Sequence, residues 1–181
     1  MGSGSYNSIK TPAQETRMGG LQQKIFAMSY EDFQTLQKPN PAATTPEGRY
    51  VIDTAHVPKT GKGFIELYCT KDMSEVNLET IGGADRNSFR GTGKFYHPGE
   101  ALDVNAFANQ AKNDRFVLLA PLPGKTQLIQ LGNDEFQVQL KPSYATTTNS
   151  GDGRGWTFEI DVFCADMIMY TASTIPMKPS A

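Results

Sequence analysis

Apolar and polar residues alternate along much of the chain beyond residue 49, which is the pattern of strands with one buried face. The clearest case is Arg154–Ala165, where five apolar side chains share one face: Trp156, Phe158, Ile160, Val162 and Cys164. Turn-forming residues separate such runs, and about nine strands are predicted. Their ranges are Arg49–Ala55, Gly63–Thr70, Glu75–Ile81, Ser88–Tyr96, Phe116–Ala120, Gln127–Leu131, Phe136–Lys141, Arg154–Ala165 and Met167–Thr171.

One segment departs from this alternation and predicts a helix over residues 100–112. Its apolar residues, among them Val104 and Phe107, recur at a spacing of about 3.6 residues and so share one face. Glu100 and Asp103 lie near its start, where the helix dipole favours negative charge. We expect this short helix to cover an open face or end of the sheets.

The remaining segments divide the chain into an arm, a domain and a tail. Residues 1–23 contain too few apolar groups to order on their own, which predicts an arm that is flexible or is ordered by assembly. Residues 24–172 form a single β-rich domain, and residues 173–181 are a C-terminal tail. Lys24–Met28 is a short apolar run, and Tyr30–Leu36 allows one helical turn. The predicted class is a mainly β sandwich or barrel with one flanking helix and extended termini.

Composition excludes several classes of protein. The 17 basic residues are balanced by 19 acidic residues, so no bulk positive field is available to grip nucleic acid. Two cysteines do not make a disulfide scaffold, and two histidines offer little for a metal cage. The mean hydropathy of -0.43, with no apolar run of about 20 residues, predicts no membrane span.

Motifs for nucleotide or calcium binding are incomplete. The sequence Pro123-Gly124-Lys125-Thr126 ends like a phosphate-binding loop, but Leu119 stands where that loop requires glycine. Asn149–Gly155 lacks the spaced oxygen ligands of a calcium loop. Both segments are therefore interpreted as hairpin turns, and Gly91 and Gly93 within a strand as a bulge or a close backbone approach.

Catalytic residues are not predicted. His56 and His97 have no neighbouring nucleophile and acid in the sequence, while alternation buries Cys69 and Cys164. A thiol paired with a histidine stays as an open alternative. Glu159 and Asp161 share one strand face, which favours solvated or interface-facing charge over a glycosidase pair. The chain is predicted to be a non-enzyme without cofactor or metal.

Several predicted strands carry uncharged polar residues where soluble sheets usually carry protective charge. Gln127, Gln130, Gln137 and Gln139 are the main examples, followed by the polar run Thr146–Asn149. This pattern favours a subunit whose sheet edges are covered by neighbours. The alternative is a soluble monomer with frayed termini.

Several motifs occur in the order found in one family. They are the turn Phe95-Tyr96-x-Pro98-Gly99, the junction Lys112-Asn113-Asp114, the strand Phe116–Leu119, Ile129–Gly132, Lys141–Tyr144 and the strand that follows Gly153. In this order the sequence resembles the tail tube (major tail) proteins of tailed bacteriophages, over about Tyr50 to Tyr170.

The resemblance implies a structural protein of the virion tail, assembled in the host cytoplasm. Such subunits form rings, usually hexameric, that stack into a tube around a DNA channel. The implied partners are further copies of the chain and other tail or head-completion proteins, with DNA as cargo bound without sequence specificity and no membrane. Candidate inter-subunit contacts are Ile9, Leu21, Ile25 and Phe26 in the arm, with Ile81, Phe89 and Arg90 in the loop Ile81–Gly93.

Two other classes of protein fit the same pattern. A capsid decoration or head–tail joining protein of a phage would use a similar β-rich core with arms. A soluble carbohydrate-binding module would need a planar aromatic platform, whereas the one tryptophan, Trp156, lies on a face predicted to be buried.

Overall fold

The structure is a computed structural model that describes residues 6–180, and within them the chain is mainly β with one α-helix. The elements are β1 (Lys24–Ser29), β2 (Phe33–Thr35), β3 (Val51–Ile52), β4 (Val57–Pro58), β5 (Ile65–Tyr68), β6 (Glu75–Ile81), β7 (Ser88–Pro98), α1 (Leu102–Ala111), β8 (Phe116–Pro121), β9 (Leu128–Leu131), β10 (Gln139–Ala145), β11 (Gly155–Cys164) and β12 (Ile168–Tyr170). Single helical turns at Tyr30–Asp32 and Glu47–Tyr50 precede β2 and β3.

The strands form three sheets that stack in layers. A six-stranded sheet has the order β3-β12-β9-β8-β1-β5, and a four-stranded sheet has the order β10-β11-β7-β6. A small third sheet pairs β2 with β4. Neither large sheet closes on itself, so the fold is a sandwich and the barrel alternative is wrong.

The six-stranded sheet forms the middle layer because its central strands are apolar on both faces. In β8, Phe116 and Leu118 point into a large core, and Val117 and Leu119 point into a second core on the other face. All six residues of β8 are buried. Such strands read as continuous apolar runs, which is expected where both faces of a sheet are covered.

The large core lies between the six-stranded and four-stranded sheets. Phe95 and Phe158 stack with their ring centroids 4.9 Å apart, and α1 adds Val104, Ala108 and Ala111. The helix occupies residues 102–111 of the predicted 100–112 and covers one side of this core. The prediction of one short flanking helix is confirmed.

The second core is covered by the small sheet and by the C-terminal segment. Phe33 of β2 and Phe64 contact each other edge to face, with centroids 5.8 Å apart. The backbone of Phe64 accepts a hydrogen bond from Lys178 and donates one to Pro176, which holds the tail against the domain. Ile175 packs on the same core.

Each of the nine predicted strands corresponds to one observed strand, and three strands lie elsewhere. β1 falls on the apolar run Lys24–Met28, which has no alternation because both of its faces are buried. β2 and β4 have three and two residues, too few to show a period. The helical turn allowed within Tyr30–Leu36 is present only as Tyr30–Asp32.

Two glycines on the core side of β7 allow the neighbouring strands to approach closely. A Cβ atom at Gly91 would lie 2.8 Å from Cγ1 of Val162, and one at Gly93 would overlap the backbone oxygen of Glu75. The close approach predicted from their position in a strand is therefore confirmed.

We expect Gly93→Ala to lower the free energy of unfolding by about 1–3 kcal/mol, because the overlapping atom belongs to backbone and cannot rotate away. Urea unfolding of the variant and the wild type measures this loss. Gly19→Ala is the matched control, since nothing lies within 4 Å of its Cβ position. Equal stability of all three proteins would contradict the close approach.

Candidate functional site

The four-stranded sheet has one face that points away from the core, which we call the outer face. Val76 and Leu78 of β6 pack against the core, so the residues between them point outward. The outer face includes Glu75, Asn77, Glu79, Ile81, Ser88, Arg90, Thr92, Lys94, Tyr96, Gln139, Lys141, Ser143, Thr157, Glu159, Asp161 and Phe163. Nearly all of these side chains are polar, and no described element covers them.

Charges on the outer face alternate in sign across the four strands. The strand pairings place Glu75 beside Lys94, Lys94 beside Glu159, and Glu159 beside Lys141. Opposite charges directly across a strand pair stabilise a sheet, each by roughly 0.2–1 kcal/mol. This row therefore supports the pairing without giving the face a strong net charge.

A second charged group lies beside this row. Nε of Arg90 donates to Oδ1 of Asp161 at 3.1 Å, and Nζ of Lys141 lies 3.6 Å from the other carboxylate oxygen. The hydrogen bond from Arg90 lowers the pKa of the Asp161 carboxyl, so this group stays ionised at neutral pH. The Arg90 guanidinium also lies 5.8 Å from the ring centre of Phe163.

Both outer strands of this sheet have an open edge. Among residues 6–180, β6 pairs only with β7, and β10 pairs only with β11. Each of the two edge strands is seven residues long. Unpaired edges of this length form hydrogen bonds readily with another strand.

Two of the predicted contact residues are not available to a neighbour, and this part of the prediction is wrong. Ile25 and Phe26 lie in β1, between β5 and β8, and not in the arm. Ile25 points into the large core and Phe26 into the second core, and both are buried. Their apolar side chains pack in the two cores on either face of the six-stranded sheet.

The arm itself extends along the domain through a few polar contacts. Nδ2 of Asn7 donates to Glu47 at 2.6 Å, and Nζ of Lys125 donates to Glu15 at 2.7 Å. Ile9 points away from the domain and is 97% exposed. Leu21, by contrast, is half-buried against the large core.

The loop predicted over Ile81–Gly93 is shorter than expected. Residues 82–87 connect β6 and β7, whereas Phe89 and Arg90 belong to β7 and pair with Cys164 and Phe163 of β11. Phe89 packs against the core and Arg90 lies on the outer face. The assignment of these two residues to a loop is wrong, because the strand continues to the turn.

His56 is part of a buried polar link between layers. Its Nδ1 accepts a hydrogen bond from the backbone N–H of Gln37 at 3.0 Å. Its Nε2 therefore carries the proton and donates to Oε1 of Gln130 at 2.7 Å. The Gln130 amide in turn donates to the carbonyl of Gly132. Burial lowers the pKa of His56, against a smaller rise from Gln130.

This link corrects the reading of Gln130 as surface. The side chain is 7% exposed and is held by His56. Gln137 also differs from a free surface amide, because it donates to the backbone carbonyls of Asn133 and Asp134. Gln139 lies exposed on the outer face, as its pattern predicts.

The two thiols are buried, and the second histidine bonds to backbone. Burial raises the pKa of Cys69 to about 12 and also raises that of Cys164. Cys69 donates to the carbonyl of Leu67, and His97 bonds to the carbonyl of Pro98. Among the described residues, neither thiol is hydrogen-bonded to a histidine. A nucleophilic thiol requires the opposite pKa shift.

The two turn predictions are confirmed. Residues 122–127 connect antiparallel β8 and β9, and residues 146–154 connect antiparallel β10 and β11. In residues 6–180, no group of three or more His, Cys, Asp or Glu side chains is placed to hold a metal ion. No helix within that range has the length and hydropathy required to cross a membrane.

Trp156 does not form a flat aromatic platform with its aromatic neighbour Tyr144. Trp156 is half-buried on the core side, and its ring is inclined at 53° to that of Tyr144. Sugar-binding modules present coplanar rings to solvent, so this pair does not match that requirement.

The sequence did not show which strands form the open edges, although one signal was present. Pro142 lies inside β10, and proline within a strand is confined to edges because it cannot donate to a ladder. The side chains that a neighbouring strand could contact include Lys141 and Tyr144 on β10 and Glu79 on β6, because these strands lie at the two edges.

No protein-family model, no curated protein and no solved structure matches this chain. Similarity therefore assigns neither a family nor a site to the chain.

We expect stability to depend on His56 between pH 7.5 and pH 5.5. The folded protein binds the His56 proton less readily than the unfolded chain, whose histidines titrate near 6.5. The free energy of unfolding should thus be full above 6.5 and decrease as the pH falls below it, until the lower folded pKa is reached.

Urea unfolding at closely spaced pH values tests this dependence. His56→Gln should lose the slope in that window, while the matched control His97→Gln should keep it. Identical slopes in the wild type and His56→Gln would contradict the role of His56.

Proposed function

We propose that the chain is a structural subunit that assembles with copies of itself into stacked rings, as the tail tube of a bacteriophage. The observation that carries this proposal is a polar outer face on a four-stranded sheet whose two edges are both open. The resemblance in sequence to tail tube proteins supports the same function.

The topology favours closure into a ring. All neighbouring strands in the order β10-β11-β7-β6 are antiparallel, so the two edge strands run in opposite directions. When one copy is rotated beside the next, β6 of the first meets β10 of the second in an antiparallel orientation. The alternation thus continues without interruption, and a rotation that closes removes both free edges of the four-stranded sheet.

The six-stranded sheet is a less suitable wall because both of its faces are already covered. The four-stranded sheet has one face in the core and one in solvent, as a channel lining requires. Six copies of it would supply 24 strands, more than the 16–18 strands that leave an aqueous channel in porins.

The charges of the outer face suit a channel for DNA. Arg90 and Lys141 both pair with Asp161, and Lys94 lies between Glu75 and Glu159. A basic lining would bind phosphates tightly and hold the DNA. A lining with paired charges presents a polar surface to which a duplex does not adhere.

The arm supplies the contact between rings. Tyr6 and Ile9 are each 97% exposed and Met18 is 68% exposed, although all three are large apolar residues. Their burial against the next ring would remove apolar surface from water at about 25 cal/mol per Å². Ahead of Leu21, the arm contacts its own domain through exposed polar side chains, among them Asn7 and Glu15.

We expect the purified full chain to form rings and stacked tubes as its concentration is raised. Negative-stain microscopy and light scattering measure the assemblies directly. A monomer that persists to about 1 mM, where even an association worth about 4 kcal/mol would be half-formed, would contradict the proposal. Isolated trimers would favour a decoration protein, and single rings that never stack would favour a head–tail joining protein.

Removing residues 1–20 should leave rings but abolish long tubes, because the arm joins one ring to the next. The double substitution Ile9→Asp and Met18→Asp should have the same effect in the full chain. Thr11→Asp with Gln14→Asp is the matched control, since it adds equal charge to polar positions of the same arm. Long tubes from the shortened chain would exclude the arm from stacking.

A further inference from the structure

The direction of the backbone groups determines how the two open edges can meet. The N–H of Gly99 donates to Arg154, on the β11 side of β7, whereas the carbonyl of Tyr96 accepts from Thr70 on the other side. Successive residues alternate, so Arg90, Thr92 and Lys94 direct their backbone groups to β6. Their partners Glu79, Asn77 and Glu75 direct their own backbone groups back to β7. The residues between and beside them on β6, Val76, Leu78 and Thr80, therefore direct their backbone N–H and C=O groups to the open edge.

The same alternation applies to β10. Val138 exchanges both backbone hydrogen bonds with Phe116, on the side away from β11. Leu140, Pro142 and Tyr144 therefore direct their backbone groups to the open edge. Leu140 is only 1% exposed, so the accessible part of this edge begins at Pro142.

Antiparallel strands pair through residues that direct their backbone groups toward each other. Placing Tyr144 of one copy opposite Val76 of the next meets this condition with both groups. Pro142 then lies opposite Leu78, where its carbonyl accepts from the Leu78 N–H and proline has no N–H to donate in return. This pairing places the accessible residues 142–145 of one copy opposite residues 75–78 of the next. In this register Lys141 lies opposite Glu79.

Both faces of the two edges are complementary in this register. On the outer face, the cation of Lys141 meets the carboxylate of Glu79. On the core side, Tyr144, which is 39% exposed, covers Val76, and Pro142 covers the partly buried Leu78. One register thus pairs opposite charges and removes apolar surface from water.

The stagger of this register also matches a closed barrel. Within one copy, Lys141 belongs to the row that ends at Glu75, and across the boundary it meets Glu79, four residues farther along β6. Four residues over four strands is a shear of one residue per strand. An eight-stranded barrel with a shear of 8 has that ratio and tilts its strands by about 36°, within the usual range of about 35–45°.

We infer that neighbouring copies join β10 to β6 in the register that places Lys141 opposite Glu79, and that this ion pair selects the register. The inference rests on the proposed function and adds the residues that specify it. If the pairing were shifted by two residues, Lys141 would lie opposite Asn77 and would lose its opposite charge. The offset between neighbouring copies would then be two residues instead of four.

Paired cysteines test the register. In this pairing Asn77 and Ser143 are opposite at a non-hydrogen-bonded position, where Cα atoms lie about 4.5 Å apart and a disulfide can form. Mild oxidation of assembled Asn77→Cys/Ser143→Cys protein should give a ladder of covalent oligomers on a non-reducing gel. The matched control Glu75→Cys/Ser143→Cys, which fits the two-residue shift, should give none.

Charge reversal tests the selecting pair. Glu79→Lys should lower the assembled fraction by about tenfold or more, because like charges then face each other at every boundary. Lys141→Glu should lower it at least as much, since the new carboxylate also faces Glu159 and Asp161 within its own copy. The double variant should restore assembly. Lys59→Glu, which makes the same charge change on an exposed residue beside the small sheet, is the matched control and should assemble normally. Circular dichroism of each variant verifies that the monomer is folded.

The outcomes separate this inference from the proposed function. A wild-type chain that forms no rings overturns both. If the wild-type chain assembles, two results would overturn the register alone. One is cross-linking of the control cysteine pair, and the other is normal assembly of the charge-reversed variants. Cross-linking of Asn77→Cys with Ser143→Cys, together with rescue by the double charge variant, supports it.

Discussion

Burial of both faces of the six-stranded sheet is the constraint on which the rest of the structure depends. Alternate residues of β1 and β8 point into two separate cores, so each face must be covered by another layer. The four-stranded sheet and α1 cover one face. The small sheet and the C-terminal segment cover the other, with the His56–Gln130 hydrogen bond joining that layer to the middle strand β9.

This arrangement leaves the four-stranded sheet as the layer with an uncovered face and two free edges. Its strands alternate, so the apolar residues are used in the core and the polar residues remain outside. Because the charges there are paired across strands, the outer face is polar but weakly charged. A surface of this kind suits the lining of an assembly better than a pocket for a small ligand, and the proposed ring derives from it.

Sequence reasoning identified the parts of the fold whose signals are local. The alternation in β6 and β11 indicated half-buried strands, and the spacing in α1 indicated a helix. Turn residues located the hairpins between β8 and β9 and between β10 and β11. The place of Ile25 and Phe26 was missed because a short run buried on both faces has no period, and such a run before a polar segment resembles part of an arm.

The sequence by itself determined which residues alternate, where the chain turns and which segment is helical, because these properties depend on neighbours a few residues apart. Only the tertiary structure decided which strands lie at the centre and which at an edge. That position depends on pairing between segments far apart in the sequence, such as β1 with β8, and the local pattern of apolar and polar residues does not indicate it. The candidate site, a pair of edges on one sheet, therefore became visible only when the strand order was known.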